Sequence, residues 1–282
     1  MSDPIVLSHL QARALLEARG ETERRLETSP DLGRTTVEVV VGAEGVIFPG
    51  AESLPWAAIE KICAAENNCF LVDGGEAHKI VLFSEHTFRV YSLLPTEAAP
   101  TVLLSGIPMH RVKGTDPYHD TLAKVATIRP VVGHVLDTAT GLGYTAIEAA
   151  RTAEHVTTCE LDPAVLEVAQ LNPWSRELFD HPKITQRIGD STEVIEEFAD
   201  GTFARIIHDP PAFRLAGQLY GAAFYRQLHR VLHRGGRLFH YVGNPESGSG
   251  RNITRGVVRR LQEAGFSRVV HQPRAFGVVA YK

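Results

Sequence analysis

The chain has 282 residues, 44% hydrophobic and 22% charged, with a formal net charge of −4. That much apolar material can bury a core in one large or two smaller domains, and no apolar run approaches the ~18–20 residues needed to cross a bilayer. The start Met1-Ser2-Asp3-Pro4-Ile5 lacks the basic-then-apolar order of a secretory signal, and Cys63, Cys69 and Cys159 offer neither CxxC metal spacing nor an even disulfide set, so the expectation is a soluble cytoplasmic protein with no metal centre and no membrane partner.

In chain order, residues 8–19 read as a short amphipathic helix with Ser8 as cap, Leu10, Leu15 and Leu16 apolar and Gly20 as terminator. Two β-rich runs follow at 35–41 and 45–48. A helix over 54–65 is entered through Ser53 with Pro55 in its first turn. A further strand pair, 79–83 and 87–93, comes after Asp73-Gly74-Gly75. Residues 1–100 are therefore expected to form a small α+β domain, and no catalytic constellation stands out in them. Residues 94–100 have linker composition. A hairpin with arms 101–104 and 109–112 around Ser105-Gly106 occupies 101–115, and a helix starts at Asp116-Pro117.

From residue 116 to 282 helices and strands alternate, which argues for a parallel sheet covered on both faces. The run Val135-Leu136-Asp137-Thr138-Ala139-Thr140-Gly141-Leu142-Gly143-Tyr144-Thr145 is a buried strand ending in an acid, then a glycine loop, then a helix start. Such a loop brings backbone N–H groups and a helix N-terminus close to a ligand, because glycine carries no Cβ to block it. An adenosine-bearing cofactor is implied. Gly141, Gly143 and Ala146 also satisfy the dinucleotide fingerprint, with Glu160 near the place of its ribose-binding acid. Here, however, three residues separate the strand-closing Asp137 from Gly141, which favours S-adenosylmethionine over NAD. Further on, Glu160 closes the run 156–159, with Cys159 as a small core residue. Asp162-Pro163 reads as a helix cap with a first-turn proline, and Gly189-Asp190 follows a strand near 183–185. The run 204–208 enters Asp209-Pro210-Pro211-Ala212-Phe213. A helix over 216–232 ends in Gly235-Gly236 and feeds a strand at 237–242. A helix over 253–264 has Val257, Val258 and Leu261 on one stripe, and two short strands, 268–271 and 276–281, finish the chain.

In these residues the chain resembles the class I S-adenosylmethionine-dependent methyltransferases, from about Thr115 to Lys282. The resemblance implies a doubly wound, seven-stranded Rossmann-like α/β sheet, with the terminal pair as its antiparallel edge. It implies that Asp137, Thr138, Ala139, Gly141 and Gly143 hold the methionine part of the cofactor, that Glu160 binds the ribose hydroxyls, and that Asp190 reads the adenine amino group. Many members carry another glycine where Ala139 stands, so this loop should be slightly less open. Asp209-Pro210-Pro211 resembles the (Asp/Asn)-Pro-Pro-aromatic signature of enzymes that methylate amino groups on planar bases, with Ala212 displacing the aromatic by one place. That likeness makes Asp209 the catalytic residue and puts Pro210 and Phe213 against the substrate. The N-terminal region and hairpin are similar in architecture to methyltransferases related to spermidine synthase, where they wall the substrate cleft. Tyr118 and His119, with Asp120, are on that basis candidate roof residues. Asn244-Pro245 follows the fifth strand at the carboxyl edge, where such sheets form their crevice, and Asn244 is a further substrate candidate. His208, ending a core strand, reads as a packed structural residue.

Transfer from a sulfonium needs little acid–base chemistry. Positive charge on sulfur disperses as the nucleophile attacks, so alignment supplies most of the acceleration, and Asp209 would orient an amine and help carry its proton away. From Arg226 onward eleven Lys and Arg face two acids, so Arg251, Arg255, Arg259 and Arg260 read either as a phosphate-binding face or as partners of the acidic remainder. The expectation is N-methylation of a small amine or metabolite, since the whole chain is acidic and shows no RNA-binding module. The alternatives are an RNA base methyltransferase using the basic region, an aminopropyl or aminocarboxypropyl transferase breaking a different carbon–sulfur bond of the same sulfonium, and a non-catalytic nucleotide-binding module. Spermidine synthases usually show an acidic pattern after the fourth strand rather than Asp-Pro-Pro.

Overall fold

The structure is a computed structural model that describes residues 4–50, 53–244 and 246–282. Met1, Ser2, Asp3 and Pro245, the last from the expected Asn244-Pro245 turn, lie outside the described residues. The chain divides into two compact units, Met1–Tyr118 with Ala164–Arg176, and His119–Pro163 with Glu177–Lys282.

The first unit holds β1 (Ile5–Leu7), α1 (His9–Glu17), β2 (Arg24–Thr28), β3 (Val37–Val41), β4 (Gly45–Ile47), β5 (Ser53–Pro55), α2 (Trp56–Cys63), β6 (Phe70–Asp73), β7 (Glu76–Lys79), β8 (Val81–Ser84), β9 (Arg89–Leu94), β10 (Thr101–Leu104) and β11 (Ile107–Pro108). They form three small sheets ordered β1-β6-β7, β2-β3-β4-β5 and β11-β10-β9-β8. The Ser8 cap forms as the sequence suggests, within a capping box in which Gln11 returns to the Ser8 amide. Leu10 is exposed instead of facing inward, and Ala12 and Leu15 make the buried stripe. The helix expected from residue 54 starts at Trp56, because the residue before a proline is pushed toward extended backbone and 53–55 pair with β4 as a strand. The hairpin turn has positive φ at both Ser105 (47°) and Gly106 (84°). This two-residue primed turn pairs Leu104 directly with Ile107, so the second arm comes earlier than 109–112.

The elements that follow are α3 (Pro117–Ala126), β12 (His134–Asp137), α4 (Tyr144–Ala150), β13 (His155–Glu160), α5 (Pro163–Gln170), α6 (Arg176–Asp180), β14 (Ile184–Ile188), α7 (Ser191–Val194), β15 (Phe203–His208), α8 (Ala222–Val231), β16 (Leu232–Tyr241), α9 (Gly248–Glu263), β17 (Arg268–Gln272) and β18 (Gly277–Tyr281); apart from residues 117–118, 164–170 and 176, which belong to the first unit, they make up the second unit. Its seven strands run β14-β13-β12-β15-β16-β18-β17. Neighbours are parallel up to β16, and β18 lies antiparallel between β16 and β17. This is the Rossmann-like methyltransferase-type sheet with its antiparallel terminal strand. All six residues of β15 are buried, and Phe203, Ile206, Leu238, Val278 and Ala280 pack with Phe224 and Leu228 of α8 and Val257 and Leu261 of α9.

Three elements differ from expectation. The last helix, expected over 253–264, starts at Gly248 with Ser247 as its cap. The helix expected over 216–232 is a 3-10 turn at Gly217–Tyr220 followed by α8. The strand after it starts at Leu232 and runs through Gly235-Gly236 rather than after them. A Cβ on Gly236 would sit 2.6 Å from the Leu232 side chain and 2.8 Å from the His233 carbonyl, so glycine there permits a close approach and does not end a helix. No helix among the described residues is long and apolar enough to cross a membrane.

Candidate active site

Strand order reverses between β12 and its neighbours β13 and β15, and an open α/β sheet forms its crevice at such a switch point. Two acids stand there. Asp137 ends β12 with no exposed surface. Its Oδ2 accepts from Thr145 Oγ1 and Thr158 Oγ1, each at 3.0 Å, while Oδ1 has no hydrogen-bond partner among the described residues. Burial, with repulsion from Asp209 as a smaller contribution, pushes Asp137 up to about 7 against the two threonine donors. Asp209, just beyond β15, is partly buried, and its Oδ2 accepts from Lys124 Nζ at 2.7 Å. Its Oδ1 carries no protein hydrogen bond among the described residues.

Lys124 is the residue that sequence reasoning missed. Its side chain is 2% exposed, and its Nζ lies 2.7 Å from both Asp120 Oδ2 and Asp209 Oδ2 and 4.7 Å from the Tyr241 ring centre. Burial alone would lower its pKa, but the two carboxylates outweigh it and hold Lys124 above the ordinary lysine range. Asp209 stays above the ordinary carboxylate range because burial and Asp120 outweigh the ion pair. The triad Asp120–Lys124–Asp209 therefore carries one net negative charge when fully ionised.

The loop after β12 is fixed from several sides. Thr138 N–H donates to the Ile207 carbonyl at 3.0 Å and Thr140 N–H to the Cys159 carbonyl at 2.8 Å. The His208 Nε2 lies 2.9 Å from the Leu219 carbonyl, which only accepts, so Nε2 carries the proton and Nδ1 accepts from Thr138 Oγ1 at 2.6 Å. Burial drives His208 down to about 3, in keeping with a packed core histidine. Its ring lies 4.3 Å from that of His240, whose Nε2 is 2.7 Å from the Tyr225 hydroxyl. Gly141 and Gly143 hold φ of 53° and 77°, which L residues rarely adopt. A Cβ on Gly143 would press within 2.6 Å of Leu178, whereas one on Gly141 would meet open space. Ala139 is partly buried between them and the strand. Glu160 takes the Gly141 N–H on Oε2 (2.8 Å) and the Asp162 N–H on Oε1 (3.2 Å), and burial pushes it up to about 7. Asp190 caps α7, its Oδ1 accepting from the Thr192 amide (2.8 Å) and hydroxyl (2.7 Å). Asp137, the loop, Glu160, Asp190, Asp209 and Lys124 all belong to the second unit.

The other candidates are more dispersed. Pro210 is buried, and the Phe213 ring, 46% exposed, lies edge-on to Tyr220 at 5.3 Å. Tyr220 donates to the Pro211 carbonyl at 3.1 Å, which braces the turn. Asn244 is exposed and accepts the Glu246 amide at 2.9 Å, so in this structure it shapes the turn into α9. Tyr118 falls in the first unit, its ring 5.7 Å from Trp174. His119 is exposed on α3, beside the buried Asp120. Arg260 does not share a face with Arg251, Arg255 and Arg259. Its Nε donates to the Tyr220 carbonyl at 2.9 Å, and only the other three are exposed.

A family model described as spermine/spermidine synthase domain matches residues 115–263. An uncharacterized protein of Methanocaldococcus jannaschii is 38% identical over 284 residues, covering 99% of this chain and 96% of its own. Among solved structures, a spermidine synthase in complex with the transition-state analogue AdoDATO aligns at TM-score 0.58 and 20% identity, over 71% of this chain and 72% of its own. Spermidine synthase from Thermotoga maritima aligns at TM-score 0.56 and 22% identity, over 71% of each chain. At these identities the two structures bear on the fold.

Proposed function

We propose, because the chain belongs to the spermine/spermidine synthase domain family, that it is a transferase moving an aminopropyl group from an S-adenosyl sulfonium to an amine. The order of the sequence-based expectations thereby changes, with aminopropyl transfer ahead of methyl transfer. The observation that carries the reading is Asp209, a desolvated carboxylate at the end of a central strand with one oxygen held by Lys124 and the other open. The net negative charge of its triad suits a cationic amine, and a carboxylate raised by burial is a better proton acceptor than an ordinary one.

The residues of the loop fit an adenosyl donor. The unpartnered Oδ1 of Asp137 is an acceptor for the ammonium of the donor's aminopropyl arm. The open space beside Gly141 leaves room for a ligand close to the backbone. Glu160 retains lone pairs for ribose hydroxyls beyond the two N–H groups it already accepts, and Asp190 keeps Oδ2 for the adenine amino group. In the reaction the amine nitrogen attacks the methylene carbon next to sulfur, and a carbon–nitrogen bond forms as the carbon–sulfur bond breaks. The electron pair goes to sulfur, leaving a neutral thioether. Asp209 orients the amine and takes its proton, and Lys124 fixes which way the carboxylate faces.

A second reading, methyl transfer to an amine, rests on one observation: Asp209-Pro210-Pro211 contains a single acid, and none follows until Glu246. The nucleoside product separates the two. With putrescine as probe amine and decarboxylated S-adenosylmethionine as donor, aminopropyl transfer releases 5′-methylthioadenosine. With S-adenosylmethionine, methyl transfer releases S-adenosylhomocysteine. Chromatography showing only the second product would reverse the order of the readings.

A further inference from the structure

Helix α9 carries Arg251, Arg255 and Arg259 at four-residue spacing, so they share one face with their Cα atoms about 6 Å apart along the axis. All three line an open groove of about 470 Å³, together with Thr254, Val258 and His271. No carboxylate is among the described residues that line it. Arg251 donates to the Glu246 carbonyl at 2.8 Å, Arg259 lies 3.7 Å from Glu263 at an exposed site where such a pair contributes little, and Arg255 has no ion pair or hydrogen bond among the described residues. Arg260, the fourth arginine of the run, is turned away onto the Tyr220 carbonyl, so the three that remain are the ones that face the groove.

We propose that this groove binds consecutive phosphate groups, as carried by a single-stranded RNA or by a nucleoside polyphosphate. Guanidinium forks match phosphate oxygens bidentately. A row of three spans about 12 Å, more than one phosphate occupies, so the ligand presents several in line. The described lining residues include no Phe, Tyr or Trp, and their one ring is the His271 imidazole, so base stacking contributes little and recognition is by the phosphates without sequence preference. The site is independent of the reaction read from the strand ends.

The test uses the full chain, a fluorescein-labelled twelve-nucleotide RNA and, separately, ATP. The triple variant R251Q/R255Q/R259Q is compared with wild type and with R24Q/R25Q, an exposed pair on β2. For RNA, about 0.7 of a logarithmic unit per phosphate contact predicts a salt slope near 2 from three contacts. The triple variant should lose that slope and at least ten-fold in affinity, with an unchanged melting curve because all three side chains are exposed. The same loss for ATP alone would make the nucleotide the source of the phosphates. Equal binding by the triple variant and wild type, an equal loss in R24Q/R25Q, or no binding of either ligand by wild type would overturn the proposal.

Discussion

Replacing Lys124 by Met leaves the methylene stem but removes the charge that Asp120 and Asp209 share. Asp120 is 1% exposed, so in the variant a buried carboxylate loses the Lys124 charge that it shares with Asp209. Removing one partner of a buried ion pair costs about 3–5 kcal/mol, on the order of 10 °C in the melting temperature of a domain this size. The sign with pH follows from the stranded acids. Burial already holds Asp209 above the ordinary carboxylate range and loss of the Lys124 charge raises it further, so the penalty is absent below the unfolded carboxylate range near 4 and grows as pH rises through it. Thermal melts at pH 4 and pH 7 should therefore show a small difference from wild type at the lower pH and a large one at the higher. In K124M/D120N/D209N the stranded charges are gone, and most of the loss at pH 7 should be recovered. A K124M melt within about 2 °C of wild type at pH 7, or an equal loss at both pH values, would refute the argument.

Asp209→Asn should lower turnover by about 100-fold or more while donor affinity by calorimetry stays within a few-fold, since it acts on the amine; loss of donor binding alone would move Asp209 into the donor site. Donor affinity should rise with pH up to about 7, where Asp137 and Glu160 ionise, by close to ten-fold per unit below that value if one proton is released. A flat calorimetric profile from pH 5.5 to 8.5 would refute this, and D137N and E160Q show which acid is responsible. Gly143→Ala combines left-handed backbone strain with a clash on Leu178 and should destabilise by about 1–3 kcal/mol in urea melts. Gly141→Ala lacks the clash and should cost less stability, with its effect appearing in donor affinity.

The second unit was legible because its signals are local. The acid closing β12, the glycine pair and Glu160 at the end of β13 each follow buried strand residues, which a parallel sheet covered on both faces demands, and Gly189-Asp190 follows the edge strand β14. The first unit was less so. In β2, Arg-Arg-Leu-Glu-Thr, the first four residues are exposed or half-buried and carry no apolar alternation. The short strand Ser53–Pro55 is held by pairing with β4, which no local pattern announces. The i, i+4 spacing of Asp120 and Lys124 looks in sequence like any solvated helix pair; only the burial of α3 turns it into a charge network with a residue 85 positions away. Likewise, the four-residue spacing sets Arg260 off the face of Arg251, Arg255 and Arg259, but nothing in the run says that it meets the Tyr220 carbonyl, 40 positions away.

The neutral His208 gives the site a frame that does not respond to pH. It holds the loop after β12 to the segment after β15 through two hydrogen bonds, and it keeps its single proton down to about pH 3. Asp137 and Glu160 gain and lose protons near neutrality while the bonds that position them stay the same. On the proposed reading, acidity then changes how strongly a sulfonium donor is held and leaves the spacing between the loop after β12 and the segment after β15 alone, so a pH profile of donor affinity reads carboxylate charge undistorted by movement of the scaffold.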